Sequence, residues 1–186
     1  PYPQPPAPPF SGADLVAQLP NKLGDAANDF VPGIDTSRDQ LAAYTKSREA
    51  ILDDISTSLQ SPCCRRQSYE RVALHEFHED TFNGLTNSRH VARMFIAEGA
   101  VHSMNGEFDL AAEAHMDAIR IGECMGRGGL LVDVLVEFAI QAIGREALRR
   151  IRADLPGEMC RSLATELESM DRKTESLEII YERDRI

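Results

Sequence analysis

The chain contains no tryptophan, and aromatic residues make up only 6% of its 186 residues. The core must therefore be built mainly from aliphatic side chains. Hydrophobic residues account for 42% of the sequence and charged residues for 27%, a composition typical of a globular protein and not of a disordered chain. A chain of this length is suited to one domain with a sizeable core.

The sequence also lacks a concentrated basic patch. Its 20 Lys and Arg residues are outnumbered by 30 Asp and Glu residues, which gives a formal net charge of −10. The nearest approach to a basic cluster is Arg145, Arg149, Arg150 and Arg152, whose spacing indicates the last turns of a helix, where positive charge is favourable. Because phosphate binding requires a positive surface, we predict no nucleic-acid partner for this acidic chain.

Long apolar runs and the common catalytic motifs are absent as well. No stretch reaches the roughly 18 uninterrupted apolar residues of a membrane-spanning helix. The patterns GxSxG, GxxxxGK[ST] and HExxH do not occur, and the glycine-rich GRGG at 126–129 follows no predicted strand. We therefore predict no catalytic residues and expect a non-enzymatic protein rather than an enzyme.

Proline is concentrated at the start of the chain. PYPQPPAPP places six prolines in the first nine residues, which favours a polyproline II spacer. We assign residues 1–33 to a Pro-rich spacer and loop, and residues 34–186 to a single all-helical domain. Since the sequence begins at Pro1, we expect that a signal or anchor has been removed. This expectation favours an exported or membrane-anchored protein on the periplasmic or envelope side, with a cytoplasmic location as the alternative.

Apolar residues recur at helical intervals, and no alternating strand pattern is present. The sequence thus predicts an all-α protein, an irregular antiparallel bundle of five to seven helices. The expected helices cover residues 41–59, 87–105, 108–125, 130–153 and a segment opened by Pro156, with a last helix or frayed end at 176–186 and an ambiguous segment at 65–85.

Residues 93–123, RMFIAEGAVHSMNGEFDLAAEAHMDAIRIGE, resemble a tetratricopeptide (TPR) helical hairpin. The matching positions are Phe95 for Trp, Gly99, Ala111 and Ala118 for small residues, His102 for Tyr, Gly106 for the turn, and His115 for the later aromatic residue. Glu98 replaces the usual Leu, Glu123 stands where Pro closes the repeat, and no second copy lies 34 residues away. The resemblance implies one TPR-like hairpin. More broadly, the order of segments resembles uncharacterised helical proteins of bacterial envelopes, which implies a fold and a location.

A polar stripe crosses the otherwise apolar helix at 130–153. Asp133, Glu137, Gln141 and Arg145 stand four residues apart and so share one face of the helix. Two interpretations are open at this stage. In the first, the stripe is the solvated edge of a central helix; in the second, it lines a groove and meets residues of the preceding hairpin.

The second interpretation predicts a ligand or divalent-metal site of carboxylate and imidazole groups. Its residues are Glu98, His102, His115, Asp133 and Glu137. The two histidines occupy positions that the hairpin pattern fills with packing aromatic residues, so the competing and favoured interpretation makes them core residues. We predict no cofactor, and keep a divalent metal as the alternative.

Cysteine and histidine suggest a second metal candidate, formed by Cys63, Cys64, His75 and His78. Adjacent cysteines rarely both bind one zinc ion, which weighs against it. Four cysteines allow three complete pairings. In an exported protein Cys63 or Cys64 can pair with Cys124 or Cys160, although the apolar surroundings of Cys124 favour a buried thiol.

These observations lead to two hypotheses of function. The first is a non-enzymatic helical scaffold or protein-interaction domain, with a protein partner or a homodimer. The alternative is a small-ligand or metal-binding protein, perhaps an enzyme, whose site lies between the 87–125 hairpin and the 130–153 helix.

Overall fold

The computed structural model describes residues 38–60 and 74–185, with the backbone alone described for 74–83 and 184. Within these ranges the chain forms seven α-helices and no strand. The helices are α1 (Arg38–Lys46), α2 (Glu49–Leu59), α3 (Leu74–Asn105), α4 (Phe108–Gly126), α5 (Leu131–Ile151), α6 (Gly157–Lys173) and α7 (Leu177–Asp184), and a 3-10 turn at Arg152–Asp154 follows α5. The prediction of an all-α bundle is confirmed. In the described part of the chain, no helix has the length and apolar character to cross a membrane.

Two predicted helix boundaries are wrong. The single helix expected over 41–59 is divided into α1 and α2 at Ser47. The Ser47 hydroxyl donates to the Tyr44 carbonyl at 2.7 Å and so competes with the helix for that acceptor.

The helix expected to start at residue 87 begins at Leu74 and passes through Gly84. Ser88 donates to the Gly84 carbonyl at 2.8 Å within this helix. An internal glycine costs a helix only about 1 kcal/mol, so it weakens the helix without ending it.

Helix α4 lies at the centre of the bundle, between α3 and α5. One core cluster joins it to α2, α3 and α5 through Leu52, Ile55, Leu59, Val91, Ala92, Met94, Phe95, Ala118, Ile121, Cys124 and Ile140. A second cluster joins it to α5 and α6 through Ala111, Ala112, Met116, Ile119, Leu148, Ile151 and Met170. Because both clusters include α4, this helix fixes the positions of its neighbours, and most of its side chains are buried.

Glycine allows α4 and α5 to approach closely. A Cβ atom on Gly144 of α5 would lie 2.5 Å from Cγ1 of Ile119 and 3.1 Å from the carbonyl oxygen of His115, both in α4. On α4, a Cβ on Gly122 would lie 3.0 Å from the side chain of Gln141. The contact between these helices therefore depends on the absence of side chains at these positions.

We expect Gly144→Ala to lower the free energy of unfolding by about 1–3 kcal/mol, because the added methyl group overpacks the contact with the α4 backbone. Gly157→Ala is the matched control, since its Cβ would meet only the Arg161 guanidinium at 3.7 Å. This control should be neutral or slightly stabilising, as alanine favours a helix. Urea unfolding checks both variants, and equal stability of the two would contradict the close contact.

The two described cysteines differ in oxidation state, and one of them differs from the prediction. Cys124 takes part in a disulfide bond, whereas Cys160 is a free, half-buried thiol. The expectation that Cys124 is a buried thiol is therefore wrong. An apolar environment accommodates a half-cystine as well as a thiol, since both have low polarity, so the sequence pattern does not distinguish them.

Candidate functional site

The polar stripe of α5 is directed into the protein. Asp133, Glu137 and Gln141 are 0%, 5% and 7% exposed. They face the closely packed glycines at the end of α4 and in the turn that follows, because a Cβ on Gly126 would overlap the Glu137 carboxylate. The stripe is thus neither the solvated edge nor the wall of an open groove that the sequence suggested.

Hydrogen bonds satisfy these buried polar groups. The Gln141 side-chain amide donates to Glu137 Oε1 at 2.8 Å, and Arg145 donates to Gln141 Oε1 at 3.1 Å. Arg145 also binds Asp171 of α6 at 2.6 Å. At the start of α5, Asp133 Oδ2 accepts from the Leu130 amide at 2.8 Å and so caps the helix. The stripe therefore connects α5 to α6 through Arg145, and its Asp133 stabilises the first turn of α5.

Burial raises the pKa of Glu137 to about 7 from its ordinary value of 4.5. The nearby Glu123 and Glu175 raise it further, whereas Arg127 and Arg145 oppose the shift. A cavity of only about 20 Å³ lies beside this carboxyl group, between α4, α5 and the residues that connect α6 to α7. The space beside the carboxyl group is therefore too small for more than about one water molecule.

This shift predicts the pH dependence of stability. Between about pH 4.5 and pH 7 the folded protein retains a proton on Glu137 that the unfolded chain has released, so stability decreases as the pH rises through this window. One such group contributes a slope of at most about 1.4 kcal/mol per pH unit. Glu137→Gln retains an acceptor for Gln141 and should remove this contribution.

Urea unfolding of wild type and Glu137→Gln from pH 4.5 to pH 8 measures the difference. The variant should match wild type at the acidic end and exceed it at pH 8. Glu182→Gln, on the exposed surface of α7, is the control and should leave the wild-type slope in place. Parallel curves for wild type and Glu137→Gln would contradict a buried, protonated carboxyl group.

The opposite face of α5 is apolar and exposed. Leu135, Phe138 and Ile143 are 59%, 47% and 39% exposed, and Ala139 and Ala142 between them are also exposed. These positions follow the i, i+3, i+4, i+7, i+8 spacing that normally marks the buried face of an amphipathic helix. Helix α5 therefore buries polar side chains and presents an apolar stripe at the surface.

This stripe continues into a groove with a volume of about 600 Å³, within the range of ligand-binding pockets. We call it the α3–α5 groove, because one wall belongs to each helix. It is lined by Ile96, Ala100, Ser103 and Met104 of α3, by Ala142, Ile143, Glu146, Ala147, Arg150 and Ile151 of α5, and by His115 of α4. Met104 is 51% exposed, so the groove is accessible from outside.

His115 forms the floor of the α3–α5 groove and is only 3% exposed. Its ring packs on Gly99 so closely that a Cβ there would lie 2.5 Å from Nδ1. That Nδ1 atom has no hydrogen-bond partner among the described residues. Burial lowers the pKa of His115 to about 4, so the imidazole is neutral at physiological pH.

The structure does not bring the five predicted ligand residues together. His102 binds Glu107 at 2.8 Å near the end of α3, and Glu98 is half-buried, with a pKa raised chiefly by burial and also by Asp53 of α2. Asp133 and Glu137 lie in the stripe described above, and His115 alone lines the α3–α5 groove. Among the described residues, no group of three or more His, Cys, Asp or Glu side chains is arranged to hold a metal ion.

The side chains of the second metal candidate all lie outside the described part of the structure. Cys63 and Cys64 lie outside the described residues, and His75 and His78 lie in the part of α3 for which side chains are not described.

Sequence reasoning missed a charged network centred on Arg120. This residue binds Glu113 and Asp117 of its own helix at 2.6 Å each, and Glu166 of α6 at 2.7 Å. Asp117 is only 2% exposed, and burial raises its pKa although Ser56 and Arg120 donate to it. The i, i+3 spacing of Asp117 and Arg120 could have indicated an ion pair within the helix. The partner of Arg120 in α6, Glu166, lies 46 residues away and could not be found from spacing.

Comparison with protein-family models, with curated proteins and with solved structures finds no match for this chain.

Proposed function

We propose that the chain is a non-enzymatic protein-interaction domain whose α3–α5 groove binds an amphipathic α-helix of a partner protein. The observation that carries this proposal is the exposed apolar stripe of α5. Proteins that bind helices commonly do so with an elongated hydrophobic groove that receives side chains at helical spacing. Contiguous apolar surface of this kind is characteristic of interaction sites.

The chemistry of the groove favours binding over catalysis. Most of its lining side chains are aliphatic, and its two charged residues, Glu146 and Arg150, bind each other at 3.2 Å. This composition provides apolar anchoring but supplies no activated nucleophile. The TPR-like hairpin belongs to the same proposal. It is supported by the close packing of Gly99, at a small-residue position of the resemblance, on His115, at its later aromatic position.

We further propose that the domain acts in an oxidising compartment, exported or held on the outer side of a membrane. The disulfide bond of Cys124 supports this location, because structural disulfides persist mainly in exported proteins. Fractionation of cells that produce the full-length protein, together with thiol labelling before and after reduction, tests the proposal. A cytoplasmic protein with a reduced Cys124 would contradict it.

Site-specific photo-crosslinking tests the interaction. Benzoylphenylalanine replaces Phe138 or Ile143 in the stripe, and Leu177 serves as control because it is 55% exposed on α7, away from the groove. We expect one discrete crosslinked protein from both stripe positions and none from position 177. A product of twice the chain mass would assign the partner to a second copy. Identical patterns at all three positions would contradict the proposal.

The volume of the α3–α5 groove and its buried histidine favour one alternative, a small apolar ligand. Native mass spectrometry of the purified protein distinguishes the two functions. A bound mass that disappears in Ile143→Glu, without a crosslinked protein partner, would support the small-ligand function.

A further inference from the structure

A second pocket, with a volume of about 230 Å³, lies between α5 and α6 and shares no lining residue with the α3–α5 groove. Arg145 binds Asp171 at 2.6 Å toward one end of this space. At the other end, Cys160 Sγ lies 3.9 Å from the Arg152 carbonyl oxygen, so the two helices run antiparallel. We call this space the α5–α6 pocket. It is lined by Arg145, Leu148 and Arg149 of α5, by Arg152 and Leu155 of the connection, and by Cys160, Leu163, Ala164 and Leu167 of α6.

The α6 wall of this pocket is an apolar stripe that the protein leaves partly in water. Cys160, Leu163, Ala164 and Leu167 have the i, i+3, i+4, i+7 spacing of one helix face. Leu163 and Leu167 are only half-buried, and Ala164 is exposed. A ligand that covers this stripe gains the free energy of removing apolar surface from water. The volume is slightly below the range of about 300–1,000 Å³ for drug-sized ligands, which suits a slim apolar chain.

The charged residues that line the α5–α6 pocket are all cations. Arg145, Arg149 and Arg152 line it and no carboxylate does, although acidic residues outnumber basic ones in the whole chain. Arg145 and Arg149 bind carboxylates of the protein outside the lining. In the part of the chain that the structure describes, Arg152 has no carboxylate partner. The pocket therefore favours an anionic ligand over a neutral or cationic one.

Two of these arginines lie next to each other near the connection between the helices. Arg149 and Arg152 are three positions apart and exposed, so their guanidinium groups can reach the same bound anion. The Arg149 side chain is 72% exposed, and its pair with Glu146 is screened by water, so a ligand carboxylate can replace it. Guanidinium groups donate paired hydrogen bonds to a carboxylate. From Arg152 to Arg145 the wall is about 10 Å long, a length that an extended octanoate molecule spans.

We propose that the α5–α6 pocket binds a medium-chain fatty acid. The alkyl chain lies between the leucines of the two helices, and the carboxylate binds Arg149 and Arg152. A partner helix does not fit this space, since a helix with its side chains is about 10 Å wide. The proposal is independent of the helix-binding function, because a fatty acid here leaves the α3–α5 groove free.

Four probes with an octyl chain and different head groups test the proposal. They are octanoate, octyl phosphate, 1-octanol and octylammonium. Binding to the full-length chain is measured by NMR of the methyl groups of Leu148, Leu155 and Leu163, all of which line the pocket. The quantity of interest is the ratio of the 1-octanol Kd to the octanoate Kd, because it cancels most of the contribution of the alkyl chain.

We expect octanoate to bind more tightly than 1-octanol. Arg152→Gln should lower the ratio about five-fold, the size of one partly exposed ion pair. Arg161→Gln is the matched control, because Arg161 is an exposed arginine of α6 that does not line the pocket. It should keep the wild-type ratio. Both arginines are exposed, so both variants should fold as wild type does.

A charge placed in the wall tests the position of the alkyl chain. Ala164→Glu extends a carboxylate from the α6 wall and should weaken octanoate binding about ten-fold or more. Thr165→Glu, exposed and outside the pocket, is its control and should bind octanoate as wild type does. The wild-type protein offers a second readout, since octanoate should slow alkylation of the free Cys160 thiol by iodoacetamide. Butanoate, whose chain is too short to cover the α6 wall, should not.

Leucine shifts with octanoate and a ratio that falls only in Arg152→Gln would support the proposal. Equal Kd values for octanoate and 1-octanol, or an unchanged ratio in Arg152→Gln, would overturn it. Tighter binding of octyl phosphate would replace the fatty acid with a phosphate-bearing lipid, and tighter binding of octylammonium would contradict an anionic ligand. Shifts confined to other surfaces, or none, would exclude the site, whereas the crosslinks at Phe138 and Ile143 decide the proposed function separately.

Discussion

Replacing Arg120 with methionine is expected to lower the free energy of unfolding by about 3–5 kcal/mol, the cost of removing one partner from a buried ion pair. Arg120 is 12% exposed in its side chain and binds three carboxylates. Its loss leaves Asp117 buried at the centre of the bundle with a charge that has no cation beside it. Methionine retains the apolar stem, so the effect reports the lost guanidinium and not a cavity.

Arg149→Met is the matched control for this prediction. Arg149 binds Glu146 within its own helix but is 72% exposed, and exposed pairs contribute about 1 kcal/mol at most. Chemical denaturation at neutral pH compares the variants with wild type. If Arg120→Met were as stable as Arg149→Met, the network that connects α4 to α6 would not be part of the folded structure.

The second large effect concerns the disulfide bond. Cys124 is 7% exposed within the cluster formed by α2, α3, α4 and α5. Because a crosslink restricts the unfolded chain, reduction should lower the free energy of unfolding by about 2–4 kcal/mol. Thermal unfolding with and without a reducing agent measures this loss directly.

Two variants separate the disulfide from other effects of a reducing agent. Cys124→Ala should show the loss without reductant and become insensitive to it. Cys160→Ala, which removes the free thiol, should change stability by less than about 1 kcal/mol and keep the response to reductant. A wild-type protein whose melting temperature is the same under both conditions would contradict a stabilising disulfide.

The helices were predictable from the sequence because apolar periodicity dominates local structure in long segments. The bounds of α4 and α5 agree with their periodic patterns to within two residues. The division of the first helix was not predictable in this way, since the pattern is continuous across Ser47 and the break depends on a side-chain hydrogen bond. The passage of α3 through Gly84 was not predictable either, because glycine is a poor helix former.

The direction of the α5 stripe was not predictable from periodicity alone. The spacing of the polar stripe is the same with either face inward, and apolar burial alone favours the orientation with the polar stripe outward. The deciding feature lies on another helix, where Gly122 and Gly126 leave room for the side chains of Gln141 and Glu137. The four-residue spacing of these glycines was visible in the sequence, but the register of α4 on α5 was not.

Of the five candidate ligand residues, only His115 lines the α3–α5 groove. His115 was identified as a candidate residue, and it lies at the floor of the largest groove described above. Its expected companions face other surfaces, because Glu98 and Gly99 are adjacent on α3 and so point in directions about 100° apart. Gly99 contacts His115, and Glu98 lies toward α2.

Hydroxyl-radical footprinting of the isolated chain, at a concentration where it is monomeric, tests the exposure of the apolar stripe of α5 most directly. Two matched pairs provide internal references: Phe138 at 47% exposure against Phe95 at 1%, and Met104 at 51% against Met94 at 1%. We expect Phe138 and Met104 to be oxidised much faster than Phe95 and Met94. Protection of Phe138 to the level of Phe95 would show that the apolar stripe faces the core, and would contradict the account.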